Sequence, residues 1–231
     1  MKYSIIIPTY NQKDLLKRCI DSIIFNTDFN RDIEIIIVCN GCKDGSLELV
    51  KDYSSKNNKI KYVYWSDPLG FSKAINAGLA VSTGEYVVLL NNDSYLLSNT
   101  WLDILEWPFK IDSKTGITGP MIQKFTEKLY CAIFFCVMIK REVIKKVGYL
   151  DDIFGIGHAE DGDYSFKAIN AGFKLHQVPY NTQCTIIEEK SGYSGGHFPI
   201  VHDSFRTRGN ISDIDKIIKT NTEILHKRYK L

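Results

Sequence analysis

The sequence predicts an α/β fold with a Rossmann-like, mainly parallel sheet flanked by helices. Short apolar runs rich in β-branched residues alternate with amphipathic segments over the first 90 residues. Clusters of Gly, Asn, Asp and Ser follow these runs and are typical of turns. Three β-turn-α units and a further strand are expected to form a doubly wound sheet with helices on both faces.

The elements of this first half follow in a regular order. The predicted strands are YSIIIPT, IEIIIVC, IKYVYW and EYVVLL, and the predicted helices are KDLLKRCIDSII, LELVKDYS and FSKAINAGLAVSTG. IEIIIVC is apolar throughout, as expected of a strand buried on both faces. In KDLLKRCIDSII the apolar residues recur at helical spacing, which places them on one face.

After residue 95 the pattern becomes that of an α+β half. TWLDILEWPF, REVIKKVG and EDGDYSFKAINAG read as helices, and GITGPMI, LYCAIFFCVMIK and FKLHQVP read as strands. We predict one domain with halves at 1–95 and 96–205, followed by a C-terminal helix within 206–231. Ser212 and Asp215 have the spacing of a capping box at its start.

Composition excludes several classes of protein. The 29 basic and 27 acidic residues give a net charge of +2, which argues against nucleic acid and anionic membranes as partners. No apolar stretch reaches the roughly 18 residues of a membrane span, so we predict a cytoplasmic protein. Cys39 and Cys42 form a CxxC, but no second pair with zinc-site spacing accompanies them. The oligomeric state is left open.

A polar cluster, NNDS, follows the fourth predicted strand. Asn91, Asn92 and Asp93 come directly after the apolar YVVLL. Ligands in open α/β sheets bind beyond the carboxyl ends of the strands, so this cluster is expected to face a binding crevice. A plain turn is the alternative, because these residue types dominate turns.

Four stretches occur in an order that resembles family 2 glycosyltransferases with the GT-A fold. They are SIIIPTYNQ, VCNGCKDGS, LGFSKAINAGLAVSTGEYVVLLNNDS and IGHAEDGDYSFKAINAGFKLHQVP, and the resemblance spans nearly residues 3 to 205. It implies inverting transfer of a sugar from a nucleotide-sugar donor, with UDP-sugar favoured, to a glycan or other hydroxyl acceptor. It also implies a divalent cation, Mn²⁺ or Mg²⁺. The first half would bind the donor and the second half the acceptor.

The resemblance assigns donor binding to the loops that follow the first strands. The matched residues are Pro8, Thr9, Tyr10, Asn11, Asn40, Gly70, Lys73, Asn76, Asn91 and Asn92. Cys39 stands where the family commonly has an acid, which puts the usual uridine preference in question. Lys73 is equally well explained as a solvated side chain.

The resemblance places a metal site at NNDS, which corresponds to the family's Asp-x-Asp motif. Asn91 replaces the first acid and leaves Asp93 as the ionic ligand. Oxygen ligands of this kind suit Mg²⁺ and Mn²⁺. A further ligand is expected from the C-terminal part, with His202 preferred and Glu189 and His197 as alternatives.

AEDGD supplies the expected base. Matched to the family's Glu-Asp motif, Asp161 would remove the proton of the acceptor hydroxyl, with Glu160 beside it. Acids also cap helix N-termini for structural reasons. Two other functions stay open: a catalytically inactive sugar-nucleotide or carbohydrate-binding protein, and a nucleotidyltransferase, which would need a glycine-rich loop that PTYNQKD lacks. The glycine-rich segment 191–198 is either a lid or a surface connection.

Overall fold

A computed structural model describes residues 1–178, 193–194, 198–203 and 213–231. The strands are β1 (Tyr3–Thr9), β2 (Ile33–Asn40), β3 (Ile60–Trp65), β4 (Tyr86–Leu90), β5 (Ser94–Leu96), β6 (Thr115–Gly119), β7 (Ile122–Lys124), β8 (Tyr130–Ala132), β9 (Cys136–Lys140), β10 (Lys174–Gln177), β11 (Tyr193–Ser194) and β12 (Ile200–His202). The helices are α1 (Lys13–Asn26), α2 (Ser46–Lys56), α3 (Phe71–Val81), α4 (Trp101–Ile111), α5 (Arg141–Val147), α6 (Glu160–Asn170) and α7 (Ile214–Tyr229), with a 3₁₀ turn at Asp152–Phe154.

The central sheet has seven strands in the order β10-β6-β9-β4-β1-β2-β3. β1 pairs in parallel with β2 and β4, β2 pairs in parallel with β3, and β6 pairs in parallel with β10. β9 runs antiparallel between β4 and β6 and thereby joins the two halves of the chain. The predicted mainly parallel sheet is confirmed.

Helices cover both faces of this sheet. Ile5 and Ile7 of β1 belong to the core beneath α1, α2 and α4, whereas Ile6 belongs to the core beneath α3, α5 and α6. The division arises because successive side chains of a strand point to opposite faces. Each of these isoleucines is fully buried, which stabilises the fold by about 1.5–3 kcal/mol per side chain.

The prediction of one long strand over LYCAIFFCVMIK was wrong. The structure divides it into β8 and β9, with residues 133–135 between them. The backbone N–H of Asn91 donates to the carbonyl of Phe135 at 2.9 Å, so this break lies against the end of β4. An apolar run does not reveal such a break, because Phe134 and Phe135 are buried like strand residues.

The C-terminal helix packs on α6. Leu225 joins Phe154 and Phe166 in a small apolar cluster. Two hydrogen bonds reach Oδ1 of Asp163, one from Nη1 of Arg228 at 2.6 Å and one from the hydroxyl of Tyr229 at 2.9 Å. Ser212, the predicted cap, lies outside the described residues. No helix in the described ranges has the length and apolarity needed to cross a bilayer.

Glu34 is a buried carboxylate that ties β2 to its neighbours. Its oxygens accept hydrogen bonds from Ser4 at 2.7 Å, from the backbone and the hydroxyl of Thr83 at 2.8 Å each, and from Lys61 at 2.8 Å. Burial by itself would raise the pKa of Glu34, but the hydrogen bonds from Lys61, Ser4 and Thr83 outweigh it and lower the pKa from 4.5 to about 2.

We expect Glu34→Gln to lower the free energy of unfolding by about 2 kcal/mol at pH 7, because it removes charge-assisted hydrogen bonds. The folded-state pKa lies below the unfolded one, so the stabilisation is complete above pH 4.5 and is lost as the pH falls towards 2. Urea unfolding at pH 7 and pH 3 should therefore show a smaller difference at pH 3. The exposed Glu48→Gln serves as the control; a pH-independent difference for Glu34→Gln would contradict the assignment.

Candidate active site

A cavity of approximately 970 Å³ opens at the carboxyl ends of β1, β2 and β4. The predicted site residues that line it are Pro8, Thr9, Tyr10, Asn40, Gly70, Asn91, Asn92, Asp93, Glu160, Asp161 and His202. Strands that run in parallel deliver their carboxyl ends to one edge of the sheet, which explains why residues so distant in sequence meet here. Asn11, Lys73 and Asn76 are not among the described lining residues.

The loops after β1 and β2 are bound to each other. The backbone N–H of Asn11 donates to Sγ of Cys42 at 3.4 Å, and the Cys42 thiol donates to the carbonyl of Thr9 at 3.4 Å. Oδ1 of Asn11 accepts from the backbone N–H of Lys43 at 2.8 Å. Asn11 thus holds the second loop in place, while Tyr10 beside it is 39% exposed.

Asn40 and Gly70 join the end of β2 to the start of α3. Oδ1 of Asn40 accepts from the backbone N–H of Leu69 at 2.7 Å, and its Nδ2 donates to the carbonyl of Gly70 at 3.3 Å. Gly70 has a φ of 86°, and a Cβ there would lie 2.2 Å from the carbonyl oxygen of Gly155. Glycine at position 70 therefore allows the chain to approach the loop that precedes α6.

Lys73 and Asn76 are not among the described residues that line the cavity. Lys73 is exposed. Asn76 exchanges hydrogen bonds with the backbone of Leu150, donating from Nδ2 at 2.9 Å and accepting at Oδ1 at 3.0 Å. These two hydrogen bonds fix α3 to the segment before the 3₁₀ turn.

Asp93 and His202 lie side by side on the wall formed by the end of β4. Nε2 of His202 is 3.1 Å from Oδ1 of Asp93. The Asp93 residue is only 7% exposed, and apart from this contact its Oδ1 has no hydrogen-bond partner in the described part of the chain. Phe135 stacks on the imidazole, with ring centroids 4.6 Å apart, and holds its plane.

This pair fits a divalent cation of the Mg²⁺ or Mn²⁺ type. Neighbouring ligands of an octahedral ion with bonds of about 2.1 Å lie about 3.0 Å apart, close to the observed separation. A buried carboxylate oxygen with free lone pairs is the donor such an ion requires. No group of three or more His, Cys, Asp or Glu side chains that could hold a metal ion occurs among the described residues.

Strand pairing brings His202 to this place. β12 pairs antiparallel with β5, with His202 opposite Ser94, and the backbone N–H of Asp203 donates to the carbonyl of Asp93 at 2.9 Å. Sequence reasoning found His202 through the family pattern and not through this pairing. The two alternatives for the ligand, Glu189 and His197, lie outside the described residues, as does most of the segment 191–198.

The acids at the start of α6, Glu160 and Asp161, line the same cavity. Oδ1 of Asp161 accepts from the backbone N–H of Gly162 at 2.8 Å, and Glu160 is buried. The peptide dipoles of the helix N-terminus favour negative charge here. His158 and Ala159, just before the helix, have φ values of 78° and 74°. This left-handed backbone costs roughly 1–2 kcal/mol per non-glycine residue, so other contacts must hold it.

Sequence reasoning missed the part played by α7. Its residues Thr222, Leu225 and His226 line the cavity, and Asn221 lies behind them against residues 154–159, which we term the α6 entry loop. The helical pattern of the tail predicts a C-terminal helix, but it does not predict that this helix lines the cavity. Asn221 is a polar residue between apolar positions of an amphipathic helix, and this is the one local signal that could have marked it.

Comparisons with known proteins identify the family of the chain. The model of glycosyl transferase family 2 matches residues 4–128, more than half of the chain. The GalNAc(5)-diNAcBac-PP-undecaprenol β-1,3-glucosyltransferase of Campylobacter jejuni is 34% identical over 171 residues, which cover 72% of this chain and 46% of that protein. Glycosyltransferase GlyA of Streptococcus pneumoniae is 36% identical over 95 residues, covering 41% of this chain and 13% of that protein. The chain thus spans less than half the length of these relatives.

Solved structures share the fold at low sequence identity. A mannosyltransferase of Pyrobaculum calidifontis in complex with GDP-Man and Mn²⁺ has a TM-score of 0.65 at 20% identity, covering 77% of this chain and 55% of that one. TarS 1–349 of S. aureus with UDP-GlcNAc has a TM-score of 0.59 at 20% identity, covering 76% and 55%. The predicted GT-A fold is confirmed, and the family match shows that the chain belongs to glycosyltransferase family 2.

Proposed function

We propose that the protein transfers a sugar from a nucleotide-diphosphate donor, with UDP-sugar favoured, to a hydroxyl group of a glycan acceptor, with inversion at the anomeric carbon. One observation carries this proposal: the pair Asp93 and His202 and the pair Glu160 and Asp161 line the same cavity. The two pairs match the two tasks of the reaction, which are to neutralise a departing diphosphate and to remove a proton from the attacking hydroxyl. The named relatives and the nucleotide sugars in the similar structures support it.

The donor nucleotide would lie along the ends of β1 and β2. Tyr10 offers an exposed aromatic face for the base, and Pro8 and Asn40 line the cavity beside it. The diphosphate would then reach the end of β4, where Asp93 and His202 would hold Mn²⁺ or Mg²⁺. The cation, when bound, would neutralise charge that develops on the leaving diphosphate.

Asp161 would act from the acceptor side. Its carboxylate accepts the proton of the acceptor hydroxyl while that oxygen forms a bond to the anomeric carbon. The bond from this carbon to the diphosphate oxygen breaks, and its electron pair leaves with the nucleoside diphosphate. Asp93, Glu160 and Asp161 are the carboxylates among the described lining residues. With Asp93 assigned to the cation and Asp161 to the base, the proposed reaction is a direct displacement, in which the acceptor oxygen itself attacks the anomeric carbon.

Two other functions would give different results in an assay. A nucleotidyltransferase would release pyrophosphate from a nucleoside triphosphate, and a non-catalytic binding protein would bind nucleotide sugars without turnover. The amide at position 91 and the thiol at position 39, each in place of a common acid, keep the binding protein as the second candidate.

A panel of UDP- and GDP-sugars tests the proposal. Each is incubated with the protein and Mn²⁺, and released nucleoside diphosphate is measured with and without a mixture of oligosaccharide acceptors. We expect release from one class of donor, and release that increases with acceptor. Binding of UDP or GDP without any release would favour the non-catalytic function, and pyrophosphate release from triphosphates would favour the nucleotidyltransferase.

A further inference from the structure

We propose that Asn221 of α7 is a positioning residue that fixes the α6 entry loop and so sets the place of Asp161 in the cavity. The inference rests on the proposed function, because Asp161 matters as the base of that reaction. It extends the active site to the C-terminal helix, which lies outside the family match over residues 4–128.

The contacts of Asn221 converge on one short segment. Its Nδ2 donates to the carbonyls of Phe154 at 2.8 Å, Gly157 at 2.9 Å and His158 at 3.1 Å. The Asn221 residue is only 5% exposed. An amide nitrogen carries two hydrogens, so three acceptors at these distances mean that one hydrogen is shared. A buried donor that hydrogen-bonds to three carbonyls of a loop restrains that loop more strongly than one hydrogen bond would.

The backbone of the α6 entry loop requires a restraint of this kind. His158 and Ala159 are consecutive residues in left-handed backbone conformations, which non-glycine residues avoid. They directly precede Glu160 and Asp161, so any relaxation of their φ angles would rotate the first turn of α6. A change in that turn would move the carboxylate of Asp161 relative to an acceptor hydroxyl.

The same loop also borders the donor side. The carbonyl oxygen of Gly155 occupies the space that a side chain on Gly70 would need, since a Cβ on Gly70 would lie only 2.2 Å from it. Thr222, the next residue of α7, places its Oγ1 3.1 Å from Nε2 of His158 and adds a second contact from the same helix. The α6 entry loop is therefore held between the donor loop on one side and α7 on the other.

Asn221→Ala tests the proposal against a matched control, Tyr229→Phe. Tyr229→Phe also removes side-chain hydrogen bonds of α7, to Asp163 at 2.9 Å and 3.2 Å, but leaves the α6 entry loop untouched. Hydrogen–deuterium exchange of the unliganded protein should become faster in peptides covering residues 154–162 of Asn221→Ala and stay unchanged there in Tyr229→Phe. This readout requires no substrate.

The second readout is the turnover rate. It is measured with the nucleotide sugar from which the unaltered protein releases the most nucleoside diphosphate in the panel of UDP- and GDP-sugars. For Asn221→Ala we expect kcat to fall about 10- to 100-fold, because a small misplacement of a catalytic group can reduce the rate by this amount. The donor KM should change less than about twofold. Tyr229→Phe should keep the kcat of the unaltered protein. Asn221→Asp, which keeps the size of the side chain but lacks the N–H donors when ionised, should behave like Asn221→Ala and serves if the alanine variant does not fold.

The outcomes separate this inference from the proposed function. Normal kcat and normal exchange in a folded Asn221 variant would overturn the positioning role, whatever Asp161 does. Failure of both Asn221 variants to fold would also overturn it and assign Asn221 to stability alone. Full turnover in Asp161→Asn would instead overturn the base assignment, and faster exchange at 154–162 in Asn221→Ala would still stand as a property of the loop.

Discussion

Asp161→Asn is expected to lower kcat by about 10²- to 10⁴-fold, the contribution typical of a general base. The amide keeps the size of the side chain and can still accept the hydrogen bond from Gly162, but it cannot take a proton from the acceptor. Donor affinity should stay nearly unchanged, because the proposed donor contacts are made by other residues and not by Asp161. The measurements are steady-state release of nucleoside diphosphate and calorimetric titration with UDP and Mn²⁺.

Asp163→Asn is the matched control for this change. Asp163 lies in the first turn of the same helix, but its carboxylate is paired with Arg228 and Lys167, at 2.6 Å and 2.7 Å, and is not among the described lining residues of the cavity. We expect a lower melting temperature for this variant and an unchanged kcat for the folded fraction. If Asp161→Asn kept full turnover, or if both variants lost it equally, Asp161 would not be the base.

Asp93→Ala is expected to abolish most of the Mn²⁺-dependent affinity for nucleotide. Loss of a residue that only orients a ligand typically costs 10- to 100-fold in metal affinity, so removal of the ionic ligand should cost about 100-fold or more. Calorimetric titration with UDP, in Mn²⁺ and in EDTA, measures this effect. His202→Ala should show a smaller change of the same kind, because Asp93 retains the charge.

Asp203→Asn is the control for the metal site. Its backbone adjoins Asp93, but its side chain is paired with Arg18, so the titration should match that of the unaltered protein. Equal nucleotide affinity of the unaltered protein with and without Mn²⁺ would contradict the metal role of Asp93. If nucleotide affinity of Asp93→Ala still increased normally with Mn²⁺, residues other than Asp93 would have to bind the ion.

Local pattern predicted the elements of the first half of the chain well. The strands at Tyr3–Thr9, Ile33–Asn40, Ile60–Trp65 and Tyr86–Leu90 lie within one residue of the predicted runs. This success has a simple cause: apolar runs of strand length and apolar residues at helical spacing are direct consequences of burying one or both faces of an element. The polar residues that follow β1, β2 and β4 also lie at the predicted edge.

Roles within that edge were harder to assign from sequence. Asn11, Asn40 and Asn76 all carry amides that suit a nucleotide, yet the structure engages each of them with backbone groups of the chain itself. An amide that binds a ligand and an amide that fixes a loop have the same donors and acceptors. Only the neighbours of each side chain separate the two roles.

The sequence by itself determined the alternation of strands and helices, the mainly parallel sheet and the set of polar residues at its carboxyl edge, because these follow from local periodicity and turn chemistry. Only the tertiary structure decided that His202 lies beside Asp93, that residues 133–135 leave the sheet, and that Asn221 fixes the loop before Asp161. Each of these depends on segments far apart in the chain. Such contacts are selected by the packing of the whole fold and leave no repeating pattern in the residues that make them.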